Sequence, residues 1–132
     1  MSVFVDTSAL YAVLDGDAEN HREASEIWRE LLAQDEPLVT TNYVIVETMA
    51  LVQARLGLKA LQMLVLDVIP ALTIEWIGDA EHGTGVAAVL SGGKRRLSFV
   101  DCVSFHVMAR LGIKRCLALD AHFKGHGYDC LP

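Results

Sequence analysis

Four acidic residues interrupt apolar sequence in a way that points to chemistry rather than to solvation. Asp6 follows Val3-Phe4-Val5, and Asp120 follows Cys116-Leu117-Ala118-Leu119. Glu47 sits among Val44, Val46, Met49, Ala50 and Leu51, and Asp101 follows Phe99-Val100 and shares a helical face with Phe105 and Met108. Glu23, Glu26, Glu30, Asp35 and Glu36 occupy polar stretches instead. A carboxylate withdrawn from water is costly unless something positive meets it. Taken singly, each of the four reads as a helix cap or as half of an ion pair. Taken together that reading weakens, because only Arg55 and Lys59 lie between Arg29 and Lys94 and the bases are not placed to match. Carboxylates gathered in one place repel one another, and hard divalent cations relieve the repulsion, since Mg²⁺ and Mn²⁺ prefer oxygen ligands. Such a cluster suits phosphodiester hydrolysis, where the cation activates a water, orients the phosphate and offsets developing charge.

The elements that must position these acids follow from the hydrophobic pattern. Val3 to Val5 read as a short strand buried on both faces, as in a parallel sheet flanked by helices, with Asp6 at its carboxyl end, where ligands bind in open α/β sheets. Asp6 or Thr7 caps a helix through Leu14, and Asp15-Gly16-Asp17 breaks it. A helix from His21 to Ala33 places Ala24, Ile27, Trp28 and Leu31 on one stripe. Leu38-Val39-Thr40 form a strand, Thr41 or Asn42 caps a helix to Leu56, and Gly57 stops it. A helix over Leu58 to Ile69 ends at Pro70, a strand follows over Leu72 to Ile77, and a helix runs from Asp79 to the Ser91-Gly92-Gly93 break. A further helix spans Val100 to Leu111, a strand runs from Arg115 to Leu119, and Tyr128 to Leu131 add an edge strand. Strands alternating with helices imply an α/β fold with a parallel sheet and right-handed crossovers. With 132 residues and no linker or repeat, the expectation is one domain over residues 1–132.

With these elements placed, the chain resembles the PIN-domain family of metal-dependent ribonucleases, and in size and layout the toxin subunits of VapBC-type toxin–antitoxin pairs. The resemblance rests on four pieces in order: Val3-Phe4-Val5-Asp6-Thr7-Ser8-Ala9-Leu10, Thr41-Asn42-Tyr43-Val44-Ile45-Val46-Glu47, Leu97-Ser98-Phe99-Val100-Asp101 and Leu119-Asp120-Ala121-His122-Phe123. It implies a three-layer α/β/α fold around a mostly parallel sheet of four to five strands, and Mg²⁺- or Mn²⁺-dependent endoribonuclease activity. It also implies a homodimer and a cognate antitoxin protein as partner. By the same resemblance Asp6, Glu47 and Asp101 are the central metal-binding acids and Asp120 completes the set. Thr7 or Ser8 would orient Asp6 or a bound water through its hydroxyl. Asn42 would touch the phosphate or cap its helix. Ala118 stands two before Asp120 where the family commonly has threonine, which leaves one hydrogen bond to the acids in doubt.

The charge balance is compatible with RNA despite a formal net charge of −6. Residues 1–36 carry nine acids against two bases, whereas residues 94–124 carry seven bases against two acids. Lys94-Arg95-Arg96 precede Asp101 by five residues and would hold phosphates without reading sequence, unless they are only a solvated loop. The 52% apolar content exceeds what one small core uses and suggests a protein partner or a second copy. No uncharged apolar run approaches the roughly 18 residues of a membrane span. No signal-peptide pattern precedes Val3, and Cys102, Cys116 and Cys130 are odd in number without CxxC spacing, so a reduced, cytoplasmic protein is expected. Cys116, His122, His126 and Cys130 invite a zinc reading, but Gly125 and Gly127 break the helix the histidine pair needs. His106 reads as a satisfied, partly buried histidine, and Trp28, Trp76 and Met63-Leu64-Val65-Leu66 as core or dimer surface. The rival to the nuclease reading is a PIN-like protein-interaction module with little or no activity.

Overall fold

The computed structural model describes residues 1–92 and 97–132. Lys94, Arg95 and Arg96 lie outside the described residues, so their role as phosphate contacts stays an expectation. Five strands form one sheet: β1 (Val3–Val5), β2 (Leu38–Thr41), β3 (Thr73–Glu75), β4 (Arg115–Leu117) and β5 (Asp129–Leu131). Their order is β3-β2-β1-β4-β5 and every neighbouring pair is parallel. The chain's first strand is therefore the middle of the sheet, and Val3, Phe4 and Val5 are completely buried, as three consecutive apolar residues require when helices cover both faces. Helices α1 (Thr7–Leu14), α2 (His21–Ala33), α3 (Asn42–Leu56), α4 (Leu58–Met63), α5 (Asp79–Ser91), α6 (Phe99–Leu111) and α7 (Ala121–Gly125) complete a three-layer α/β/α arrangement. Among the described residues, no helix is long and apolar enough to cross a membrane.

Most expected elements form within a residue or two, and the departures have local causes. The helix expected over 58–69 is regular only to Met63. A π turn over Leu64–Val68, closed by the Ile69 N–H on the Leu64 carbonyl, and a 3₁₀ turn over Ile69–Ala71 follow. Pro70 offers no N–H and crowds the preceding turn, so an α-helix cannot run through it. The strand expected to reach Leu119 stops at Leu117, because the Leu119 N–H leaves the ladder to donate to Ser8 Oγ at 2.9 Å. The single turn α7 was not expected. It forms ahead of Gly127, which takes the left-handed conformation at φ 86° while its N–H closes on Lys124.

Two contacts hold the helices that flank the site. Thr48 Oγ1 lies 2.7 Å from the Val44 carbonyl and 3.1 Å from Thr7 Oγ1, locking the start of α1 to α3. Gly85 lets α5 press onto α6: a Cβ there would stand 2.6 Å from Val103 Cγ2 and 3.0 Å from Phe99 Cε1. Overpacking such a contact costs typically ~1–3 kcal/mol. A Gly85→Val variant is expected at the upper end of that range. Gly85→Ala should suffer less, since alanine's helix propensity returns about 1 kcal/mol. Urea unfolding midpoints measure both, and an unshifted midpoint for Gly85→Val would contradict this α5–α6 packing.

Candidate active site

The carboxyl ends of β1 and β4 lie side by side at the centre of the sheet, and they deliver Asp6 and Asp120 to the same edge. The Asp6 N–H still donates to the Leu117 carbonyl at 3.0 Å, extending the β1–β4 pairing by one residue. The Asp6 side chain then turns to cap α1 and accepts from the Ser8 N–H at 3.2 Å and from Ser8 Oγ at 2.7 Å. Ser8 Oγ also accepts the Leu119 N–H, so one hydroxyl ties the first acid to the backbone that leads into the second. Asp6 is only 3% exposed. Burial pushes its carboxyl up to about 7; the Ser8 hydrogen bonds oppose the shift, and the charges of Asp120 and Asp101 add to it.

Asp101 reaches the same place from the first turn of α6. Ser98 caps that helix, its Oγ accepting the Asp101 N–H at 3.0 Å while Asp101 Oδ2 accepts the Ser98 N–H at 3.4 Å, a reciprocal capping box. The same Oδ2 lies 2.8 Å from His122 Nδ1. Asp120 caps α7 by accepting the His122 N–H at 3.0 Å, and its Oδ1 is 4.0 Å from His122 Nδ1. Donor atoms of Asp101, Asp120 and His122 all lie within 4.8 Å of one another, a spacing that can hold a metal ion.

His122 is the site residue that the sequence reading passed over. Sequence alone offers it within the Leu119-Asp120-Ala121-His122-Phe123 motif and in a zinc set with Cys116, His126 and Cys130, which the structure does not bring together. His126 stacks on Phe105 with ring centroids 4.2 Å apart, and the Cys116 and Cys130 sulfurs face each other at 3.4 Å across β4 and β5. The signal for His122 was its place two residues after an aspartate that ends a strand, where the aspartate caps the turn and the histidine follows it onto the sheet edge.

The remaining expected residues are placed differently. Of Thr7 and Ser8, Ser8 orients Asp6, whereas the Thr7 hydroxyl is buried 3.4 Å from the Val44 carbonyl, turned toward α3. Thr41 caps α3, and Asn42 instead accepts the Ile77 N–H on Oδ1 at 2.7 Å, pinning the chain beyond β3. Glu47 is exposed and lines a groove with Tyr43, Val46, Phe99 and Val100, outside the Asp101, Asp120 and His122 group. His106 is half-buried against Glu81, with 3.2 Å between Nε2 and Oε2, the satisfied histidine that was expected. Trp28 lies in the core and Trp76 is exposed.

Comparison with known proteins decides what this arrangement belongs to. Residues 3–127 match the family model of the PIN domain. The chain belongs to the PIN domain family. Over 133 aligned residues it is 30% identical to the 23S rRNA-specific endonuclease VapC20 of Mycobacterium tuberculosis, covering 96% of this chain and 95% of that protein. The crystal structure of VapC20, described as a Sarcin-Ricin loop cleaving toxin, superposes on this PIN domain with a TM-score of 0.84 and 26% identity, covering 96% of this chain and 95% of that one. FitAcB from Neisseria gonorrhoeae shares the fold alone, at TM-score 0.70 and 13% identity over 100% of this chain and 97% of its own. All four expected acids fall inside the matched PIN region, three of them with His122 at the central edge of the sheet.

Proposed function

We propose that this chain is a VapC-type endoribonuclease that hydrolyses RNA phosphodiester bonds with a divalent cation, Mg²⁺ or Mn²⁺. One observation carries the reading: a PIN domain that buries Asp6 at a sheet edge and sets Asp101, Asp120 and His122 within metal-binding distance beside it. The donor set fits the ion class. It is dominated by carboxylate oxygens, which suit hard cations, and the single imidazole shifts the balance toward Mn²⁺ without excluding Mg²⁺. Asp101 and Asp120 would hold the ion with His122, and the family resemblance adds Asp6 and Glu47 to the set. Such an ion supplies neutralising charge and an acidified water at the phosphate.

The chain's own residues do the positioning. Ser8 fixes Asp6 Oδ2 and, through Leu119, the approach of Asp120. Asp101 Oδ2 lies 2.8 Å from His122 Nδ1 and so orients the imidazole beside the carboxylates. Partners that orient ligands in this way typically contribute 10–100-fold in metal affinity or activity. A His122→Ala variant is accordingly expected to need about tenfold more Mn²⁺ for half-maximal cleavage while its circular dichroism stays unchanged. An unaltered Mn²⁺ titration would remove His122 from the site.

The reading extends to partners. The whole of residues 1–132 would act as one cytoplasmic domain, the toxin of a toxin–antitoxin pair, inhibited by a cognate antitoxin and paired as a homodimer. The apolar side chains of Val46, Leu58, Leu66, Trp76 and Leu90 stand in solvent and support the expectation that protein surfaces cover part of this chain. The test is cleavage of a labelled RNA pool and of a ribosomal RNA stem-loop by the purified protein. Cleavage in Mg²⁺ or Mn²⁺ that stops with chelator is expected. RNA left intact under every cation would overturn the nuclease reading and favour a protein-interaction module.

A further inference from the structure

We propose that the groove between the start of α3 and the start of α6 is a subsite for one unpaired nucleobase, adjoining the carboxylates. The proposal rests on the ribonuclease reading above and names part of its substrate: RNA with a base free to leave its stack. The groove encloses about 370 Å³ and is lined by Asn42, Tyr43, Val46, Glu47, Phe99 and Val100. Phe99 and Val100 line the groove from the same first turn of α6 that carries Asp101, so the groove borders the helix end that presents a candidate ligand. A strand whose phosphate sits at that ligand must place the adjoining base nearby.

The lining suits a base. Tyr43, His82 and Phe99 form a closed set of three rings, with centroids 5.8, 5.1 and 5.6 Å apart, drawn from α3, α5 and α6. The Tyr43 hydroxyl and His82 Nδ1 are hydrogen-bonded, which ties these two rings together. Rings held in advance lose little freedom on binding. Proteins that recognise RNA in loops stack splayed bases on such rings and read their edges with amides and carboxylates. Asn42 offers the donor: its Oδ1 is committed to the Ile77 N–H, which orients the amide, and its Nδ2 makes no hydrogen bond among the described residues. Glu47, an acid of the proposed metal set, borders the same groove and joins it to the candidate site. The Glu47 charge also selects the occupant, because it repels a second phosphate or an acidic peptide but not a neutral base. The larger cavity beside Cys102, Phe105 and Tyr128 contains none of the candidate acids.

The experiment compares two competitors of metal-dependent cleavage, a short adenine-rich single-stranded RNA and the same ribose-phosphate backbone without bases. Anisotropy of the labelled competitors in chelator gives a second readout. Base–aromatic stacking is worth enough to favour the base-bearing competitor by about five- to 100-fold. Tyr43→Ala should erase most of that preference and leave affinity for the base-free backbone unchanged, while Tyr43→Phe should retain it. Equal inhibition by both competitors, or a Tyr43→Ala loss that is the same for both, would overturn the subsite while metal-dependent cleavage still upheld the nuclease. If Tyr43→Ala leaves the preference intact but changes the sedimentation of the free protein, a second copy covers the groove and the proposal fails. An absence of any cleavage would sink the nuclease reading and the subsite together.

Discussion

An Asp6→Asn variant is expected to lose RNA cleavage by about 10²–10³-fold, the usual cost of removing one fixed electrostatic group from a catalytic centre, and at the same time to become more stable in chelator above neutral pH. The second effect follows from the buried carboxyl of Asp6, which burial holds at about 7. An unfolded aspartate releases its proton near pH 3.9, so between about pH 4 and 7 the native state binds a proton that the unfolded chain has lost. Stability contributed by this group therefore falls as pH rises through that window and stays low above it. Asparagine has nothing to titrate. The variant should match the wild type near pH 4 and exceed it by about 2–4 kcal/mol at pH 8, from ~1.4 kcal/mol per pH unit of the window. Urea unfolding at a series of pH values with chelator measures the difference. Parallel pH profiles for the two proteins would show that Asp6 is not held protonated. Added Mn²⁺ should reverse the ranking, because an ion that binds only the folded wild type stabilises it by mass action.

Asp101→Asn should cost cleavage on the same scale, about 10²–10³-fold, with little change in stability. The asparagine carbonyl can still accept the Ser98 N–H, and Ser98 Oγ still accepts the backbone N–H of residue 101, so α6 keeps its cap. What is lost is the charge beside His122 Nδ1 and one hard oxygen ligand. Because helix and cap survive, the lost activity cannot be ascribed to unfolding, which makes this variant the cleaner test of the cluster. Wild-type cleavage rates in Asp101→Asn would remove the centre of the proposed site.

Much of this site was legible in the sequence because four acids break apolar patterns together and the bases are not placed to pair with them. Asp6 ends a strand with no polar residue in it, and Asp101 enters a helix whose face is otherwise Phe105 and Met108. The elements fell into place for the same reason, since each hydrophobic run is bounded by a cap, a glycine or a proline. The pattern could not say which of two adjacent hydroxyls faces the acid: Ser8 does and Thr7 does not, a choice made by the packing of α1 on α3 through Thr48. Nor could it show that Asn42 is committed to Ile77, a contact across 35 residues. His122 was visible as a residue but not as a neighbour of Asp101, because the two meet only when α7 caps back over α6. Glu47 stands with the acids because it interrupts the apolar pattern of α3, and in the fold it lines the neighbouring groove, apart from the group formed by Asp101, Asp120 and His122.

The central place of β1 has a consequence for how the protein comes into being. Val3–Val5 pair with Leu38 and Val39 on one side but with Arg115–Leu117 on the other, so the first strand made waits for nearly the last. Contacts of such long sequence separation must close a large loop before any burial rewards them, and they form slowly. On a ribosome the chain can assemble β1, β2 and β3 with α1 to α5 while half of its sheet edge is missing. Asp6 then has neither the Leu117 carbonyl nor Asp120 beside it, and His122 has not been synthesised. The candidate site is thus assembled only when the final segment docks. Under the proposed reading, a chain still being translated would lack a complete metal site.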